Sequence, residues 1–220
     1  MRYTFVKCES SAKILEQHLY PYFEHKKYNK VGEALQFSRS TSFGRSQIIA
    51  NTLRYDKEVY VEFHLGLRHD IVENMLCDIL GRSAYYNNTS LTFITNALNL
   101  DPSHRGMNRI LCKSEIEVLD AGEVLIDIMD HIGFDFLDRY KNLHHIDTLL
   151  NDKSKIAAKL VNHSYHRCFR AMVAAKITNR SDYDRLFQMH QQYLIKHGFS
   201  GPILDKFNTT FARLKSMFLN

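Results

Sequence analysis

Hydrophobic side chains recur along this chain with two different periods, and the places where the period changes mark out its elements. Ala12, Leu15, Leu19 and Tyr22 or Phe23 fall at steps of three and four, which predicts an amphipathic helix over about Ser11 to Glu24. Further on the step is two. Val59, Val61, Phe63, Leu65 and Leu67 share one face of an extended segment, while Tyr60, Glu62, His64 and Arg68 take the other, which predicts a strand over Lys57 to Leu67. Ala34 to Arg39 and Ser46 to Tyr55 predict two strands before it, joined by a turn at Ser42 to Arg45. Strands that are apolar on one side only suit an antiparallel sheet covered by helices on one face.

After the third strand the helical period returns. Asp70 to Leu80 predicts a short helix, with Gly81 placed to cap its C-terminus in the left-handed conformation. Residues 83 to 106 read mainly as loop, with Leu91 to Thr95 a candidate strand and Asp101 to His104 a loop; Arg109 to Cys112 predicts a last short strand. Ser114 and Glu117 then form a capping box, in which hydroxyl and carboxylate each satisfy a backbone N–H at a helix start. That helix runs to about Ile132, where Gly133 is expected to stop it. Short helices follow near Asp135 to Lys141 and His145 to Leu150. Three more are predicted beyond them: Ser154 to Ile177, a helix capped by Ser181 with Asp184 and ending at Gly198, and one opened by Pro202 that reaches Phe218. The expected fold class is α+β, an antiparallel sheet with helices on one face followed by a C-terminal helical region. The expected division is an α+β domain over 1–152 with a helical region over 153–220 packed on it.

This order of pieces carries a resemblance. A leading helix at Ser11–Glu24, strands ending in Val59-Tyr60-Val61-Glu62-Phe63-His64-Leu65-Gly66, a capped helix Glu115–Ile132, the step Gly133-Phe134-Asp135-Phe136-Leu137 and the short helix His145-Ile146-Asp147-Thr148-Leu149-Leu150 resemble a family of uncharacterised bacterial α+β domains. Some members of that family look like immunity proteins, which neutralise contact-delivered bacterial toxins. The resemblance covers about residues 11–152 and implies a small intracellular accessory protein.

Composition narrows the class. The chain has 220 residues, 45% of them hydrophobic, which is enough for a sizeable core. Only nine Gly and three Pro are present, which disfavours a turn-rich all-β sandwich. Cys8, Cys77, Cys112 and Cys168 form no CxxC pair, so they read as buried reduced thiols. Neither a signal-peptide pattern nor an apolar run of about 20 residues occurs, and a cytoplasmic location without membrane association is expected.

Charge is where the sequence is most uneven. Between Ser114 and Asp138 every formally charged side chain is a carboxylate, and between Lys153 and Arg180 every one is basic, although the net charge is only +5. Asp120, Glu123, Asp127 and Asp130 recur at steps of three and four and form one helix stripe, which Glu117 extends. The opposite face, with Val118, Leu125, Ile128 and Ile132 joined by Leu119, Ile126 and Met129, is expected to be buried. The carboxylates either form an interface with a basic partner, solvate a face, or pair internally. Tyr140, Phe134 and Phe136 are candidate aromatic anchors beside them. On the basic segment Lys155, Lys159, Arg167 and Arg170 offer the alternative of contacts to nucleic-acid phosphates.

Motifs of catalysis are missing. No Walker loop, GxGxxG, HExxH or GxSxG occurs. Glu62, His64, His69 and Asp70 form one conceivable metal or enzymatic cluster and His163 with His166 another, but both read better as ordinary surface polar groups. The sequence therefore leads us to expect a non-enzymatic cytoplasmic binding protein without cofactor or metal, an immunity- or antitoxin-like inhibitor that neutralises a basic toxin by stoichiometric binding. Its partner-binding residues would be Glu117, Asp120, Glu123, Asp127, Asp130 and Tyr140.

Overall fold

A computed structural model describes residues 8–56, 58–83, 88–104, 106–152 and 164–217. Six strands form an antiparallel sheet: β1 Asn29–Lys30, β2 Gln36–Thr41, β3 Gly44–Tyr55, β4 Glu58–His69, β5 Phe93–Asn96 and β6 Ile110–Cys112. Strands β1 to β5 are neighbours in sequence order, and β6 pairs with β4 at Val59–Val61. The β2–β3 hairpin closes at Thr41↔Gly44, so its turn is only Ser42-Phe43, tighter than the sequence predicts. All five alternate apolar positions of β4 are buried, as the two-residue period requires.

The helices are α1 Cys8–His25, α2 Asp70–Leu80, α3 Glu115–Ile128, α4 Phe134–Arg139, α5 Leu143–Asp147, α6 Ser164–Ile177, α7 Tyr183–Lys196 and α8 Pro202–Ser216. Helix α2 has the predicted bounds, and Gly81 caps it at φ 60° with its N–H bonded to Asp78 O. Gly133 does not end α3. A single wide π-helical turn, Met129–Gly133, carries α3 directly into α4. A Cβ on Gly133 would lie 2.6 Å from Met129 Sδ, so the glycine serves close packing inside a continuous helix. A second π turn, Thr148–Asp152, extends α5. At the start of α7 the expected Ser181 cap is replaced: Asp182 holds the N-cap position without a side-chain cap bond, because its carboxylate is taken by Arg180 and Arg185. Residues 153–163 of the predicted basic helix, and Phe218, lie outside the described residues.

Compactness groups the chain into two units, Met1–Leu67 with Ile94–Arg139, and Arg68–Phe93 with Tyr140–Asn220. Residues 140–152, which the sequence places with the sheet domain, group with the C-terminal helices. In the first unit α1 packs against α3 and on β1 and β3. Leu15, Leu19 and Phe23 supply its buried stripe, and the Phe23 ring meets Phe37 of β2 at 4.7 Å. Gly122 sets how close α1 and α3 come, since a Cβ there would stand 2.6 Å from the His18 ring. In the second unit Val72, Leu76 and Ile79 of α2 share a core with Phe169, Met172 and Val173 of α6, Leu186 and Leu194 of α7, and Phe207 and Leu214 of α8. Cys77, Cys112 and Cys168 are free and buried, and burial pushes the Cys168 thiol up to about 12, which keeps it protonated and inert. Among the described residues no helix is long and apolar enough to cross a membrane.

Candidate functional site

Helix α3 is built to present one face. Its start is fixed by the capping box: Ser114 Oγ accepts the Glu117 N–H at 3.3 Å, and the Glu117 carboxylate accepts the Lys113 N–H at 2.6 Å, one residue before the cap. Val118, Ala121, Gly122, Leu125 and Ile128 face inward. Asp120, Glu123, Asp127 and Asp130 are exposed on the other side, and Glu117 is half-buried by its capping role.

The stripe is only partly spoken for. Glu123 Oε1 lies 2.9 Å from His18 Nε2, and Asp130 Oδ1 accepts from Lys26 Nζ and from Tyr22 Oη, each at 2.8 Å. The bonds from Lys26 and Tyr22 hold the Asp130 carboxyl below the usual carboxylate range. Internal pairing therefore occurs with α1, at Glu123 and Asp130. No hydrogen bond or ion pair among the described residues engages the side chains of Asp120 or Asp127.

Two apolar side chains stand among these carboxylates. Ile116 is 70% exposed and Leu119 is 37% exposed. The sequence expectation buries Leu119 with the apolar face and assigns Ile116 no role, whereas the structure exposes both. Ile116 precedes Asp120, Glu123 and Asp127 by four, seven and eleven residues, so it shares their stripe and is out of phase with Val118 and Leu125. That phase was the available signal. Ile116 and Leu119, three residues apart, thus put two neighbouring exposed apolar side chains on the face that carries the carboxylates.

Two of the three predicted aromatic anchors have contacts of their own. Tyr140 belongs to the second unit and packs edge-on against Phe93 at 5.5 Å, so it is not shown joining the stripe. Phe134 lies between Tyr22 and Tyr28, at 6.4 and 6.1 Å, with Lys26 Nζ over its ring, and so serves the helix packing.

Beside the stripe is a cleft of about 490 Å³ between the 3₁₀ turn Pro102–His104 and the C-terminal half of α3. Asp101, Ser103, His104, Asp127 and His131 line it, over an aliphatic floor of Val124, Ile128 and Ile132. Asp101 Oδ1 accepts the Ser103 N–H at 2.9 Å, and its Oδ2 accepts the Ser103 hydroxyl at 2.5 Å and His104 Nδ1–H at 2.7 Å. Those bonds hold the Asp101 carboxyl down at about 2, so it is charged throughout the physiological range. His131 Nδ1–H donates to Asp127 O at 2.8 Å. The sequence reading left 101–104 as plain loop, although Asp-x-Ser is the signature of a side-chain-to-backbone turn.

The basic alternative fares differently. Arg167 and Arg170, proposed for phosphates, point into the interior of the second unit, with 1% and 7% exposure. Arg170 grips the Glu73 carboxylate with two bonds, Nε to Oε1 at 2.7 Å and Nη2 to Oε2 at 3.0 Å. Arg167 lies over the Tyr193 ring at 4.6 Å, with its Nε and Nη1 unbonded among the described residues. Neither is available to a phosphate. Lys155 and Lys159 lie outside the described residues. A second buried network surrounds Asn151: its Nδ2 donates to Asp147 Oδ1 and Ala171 O, and its Oδ1 accepts from His190 Nε2 at 2.8 Å. Burial, and then the charge of Arg167, press the His190 imidazole down to about 3.

Among the conceivable metal ligands, Glu62 and His64 lie 3.5 Å apart on β4, and among the described residues no group of three or more His, Cys, Asp or Glu side chains could hold a metal ion. Comparison of the chain with protein-family models, with curated proteins and with solved structures finds no match.

Proposed function

We propose that this protein is a non-enzymatic inhibitor of the immunity or antitoxin kind, which neutralises a basic protein by stoichiometric binding through the exposed face of α3. The observation that carries this reading is Ile116, 70% exposed among Asp120, Glu123 and Asp127. Protein interfaces combine a small apolar centre with a polar rim, and the rim charges accelerate encounter with a partner of opposite potential. Asp120 and Asp127 carry repulsion at the helix surface without a hydrogen-bonded or ion-pair partner among the described residues to offset it, a cost that capture of a cationic surface removes. Burial of Arg167 and Arg170 weighs against the nucleic-acid alternative.

The test is capture and neutralisation. Tagged protein is exposed to native lysate with and without nuclease, and the recovered basic protein is assayed for toxicity with the inhibitor titrated in. Recovery of one basic protein in near-equal amount, nuclease-resistant and silenced at a one-to-one ratio, is expected. Asp120→Lys with Glu123→Lys, or Ile116→Asp, should abolish both capture and silencing while leaving the circular dichroism and the thermal midpoint in place. Capture that survives these changes would refute the reading.

A further inference from the structure

The cleft beside α3 has an unusual census of polar groups. His104 Nδ1–H is committed to the Asp101 carboxylate and His131 Nδ1–H to the Asp127 carbonyl, so in the neutral form of each ring the lone pair is on Nε2. The Ser103 hydroxyl proton is committed to Asp101 Oδ2. Asp127 offers a carboxylate that nothing among the described residues engages. With neutral imidazoles each of these polar side chains has acceptor capacity to spare, and no lysine or arginine is among the described lining residues. A ligand that fits must be rich in donors, positively charged, and aliphatic where it crosses Val124, Ile128 and Ile132.

We infer that this cleft is the receptor for an arginine side chain of the protein partner. Guanidinium has five N–H donors and no acceptor, and its planar fork matches a carboxylate in a way that a point-charge ammonium does not. Its three-methylene stem covers an apolar floor while the head stays polar. Asp127 belongs to both the cleft and the stripe, so an arginine seated here lies at the edge of the face that holds Ile116. Anchors of this type, a buried arginine in a matched pocket, carry a disproportionate share of interface energy. The assignment rests on the proposed function for its occupant, but its chemistry can be read without the partner.

The probe is Nα-acetyl-arginine amide, followed by backbone and imidazole NMR of the full chain. A ligand of about fifteen non-hydrogen atoms is expected to bind with a Kd on the order of 1 mM. Shifts should be confined to residues 101–104 and 124–132. The lysine analogue should bind severalfold more weakly, and the citrulline analogue, isosteric but uncharged, should not bind. Asp127→Asn should weaken binding about tenfold, and Val124→Trp, which fills the cleft without touching its polar groups, should abolish it. The Asp120→Lys, Glu123→Lys variant should still bind the probe, which separates failure of the α3 face from failure of the cleft. Absence of shifts, equal response to the citrulline analogue, or undiminished binding by a folded Val124→Trp protein would overturn the assignment.

Discussion

Breaking the Glu73–Arg170 pair on one side should cost far more than removing it from both. Glu73 is wholly buried, and the two bonds at 2.7 and 3.0 Å make a bidentate fork. Arg170→Met leaves a carboxylate in the core of the second unit without its counter-charge, and Glu73→Gln leaves a guanidinium there. Each should cost about 3–5 kcal/mol, a large part of the roughly 5–15 kcal/mol by which a domain is stable. Replacing both, Glu73→Gln with Arg170→Met, removes the charges and retains volume. The amide oxygen left at position 73 still accepts from the Ser90 and Thr92 hydroxyls, which donate to the carboxylate in the native protein. The double variant should therefore fall within about 1 kcal/mol of the native protein. Urea unfolding followed by circular dichroism gives each ΔG and the coupling energy, expected to exceed about 2 kcal/mol. Burial pushes the Glu73 carboxyl up, but the Arg170 charge and the hydrogen bonds from Arg170, Ser90 and Thr92 outweigh it and leave it lowered from 4.5. The pair thus stabilises fully above the ordinary carboxylate range and is lost as pH falls through the lowered value. Additive single losses, or singles below about 1 kcal/mol, would refute the account.

Three further expectations follow from the packing. Gly122→Ala should drive a methyl into the His18 ring, cost about 1–3 kcal/mol and break the His18–Glu123 contact, seen as a lower thermal midpoint and a shifted His18 imidazole resonance. Because His190 is held at about 3 in the folded state, the unfolded chain binds the extra proton between that value and about 6.5. Stability should fall by up to about 1.4 kcal/mol per pH unit as pH drops through that window, and His190→Gln should remove that part of the slope in urea titrations. Arg167→Met, which withdraws a buried cation whose Nε and Nη1 lack partners among the described residues, should leave stability within about 1 kcal/mol of native or raise it, and the His190 resonance should titrate at higher pH.

Periodic signals carried well from sequence to structure. The two-residue period of β4, the bounds of α2 and the Gly81 cap are local, each set by side chains within a few residues of one another, and all are found. Lost were the features decided by distant partners. Gly133 reads as a stop because a glycine past an apolar run caps many helices; here the Met129 side chain needs the space its absent Cβ leaves, and the helix runs on. Arg167 and Arg170 read as a basic surface because charge alone does not reveal a carboxylate at position 73 or a ring at 193. The stripe was legible from spacing, whereas its pairing to Lys26 and Tyr22 required knowing that α1 lies alongside α3.

The order in which the chain visits its two units matters for a protein being made. It leaves the first unit at Arg68, returns at Ile94 and departs finally at Tyr140. A nascent chain that has emerged as far as Arg139 holds every residue of the sheet unit, but α2 is then without most of its core. Val72, Leu76 and Ile79 must wait for Phe169, Met172, Leu186 and Phe207 before any water is excluded from them. Loss of α6 to α8 would thus leave an adhesive strip on α2, so these helices complete the second unit and are not an appendage that a premature stop could spare.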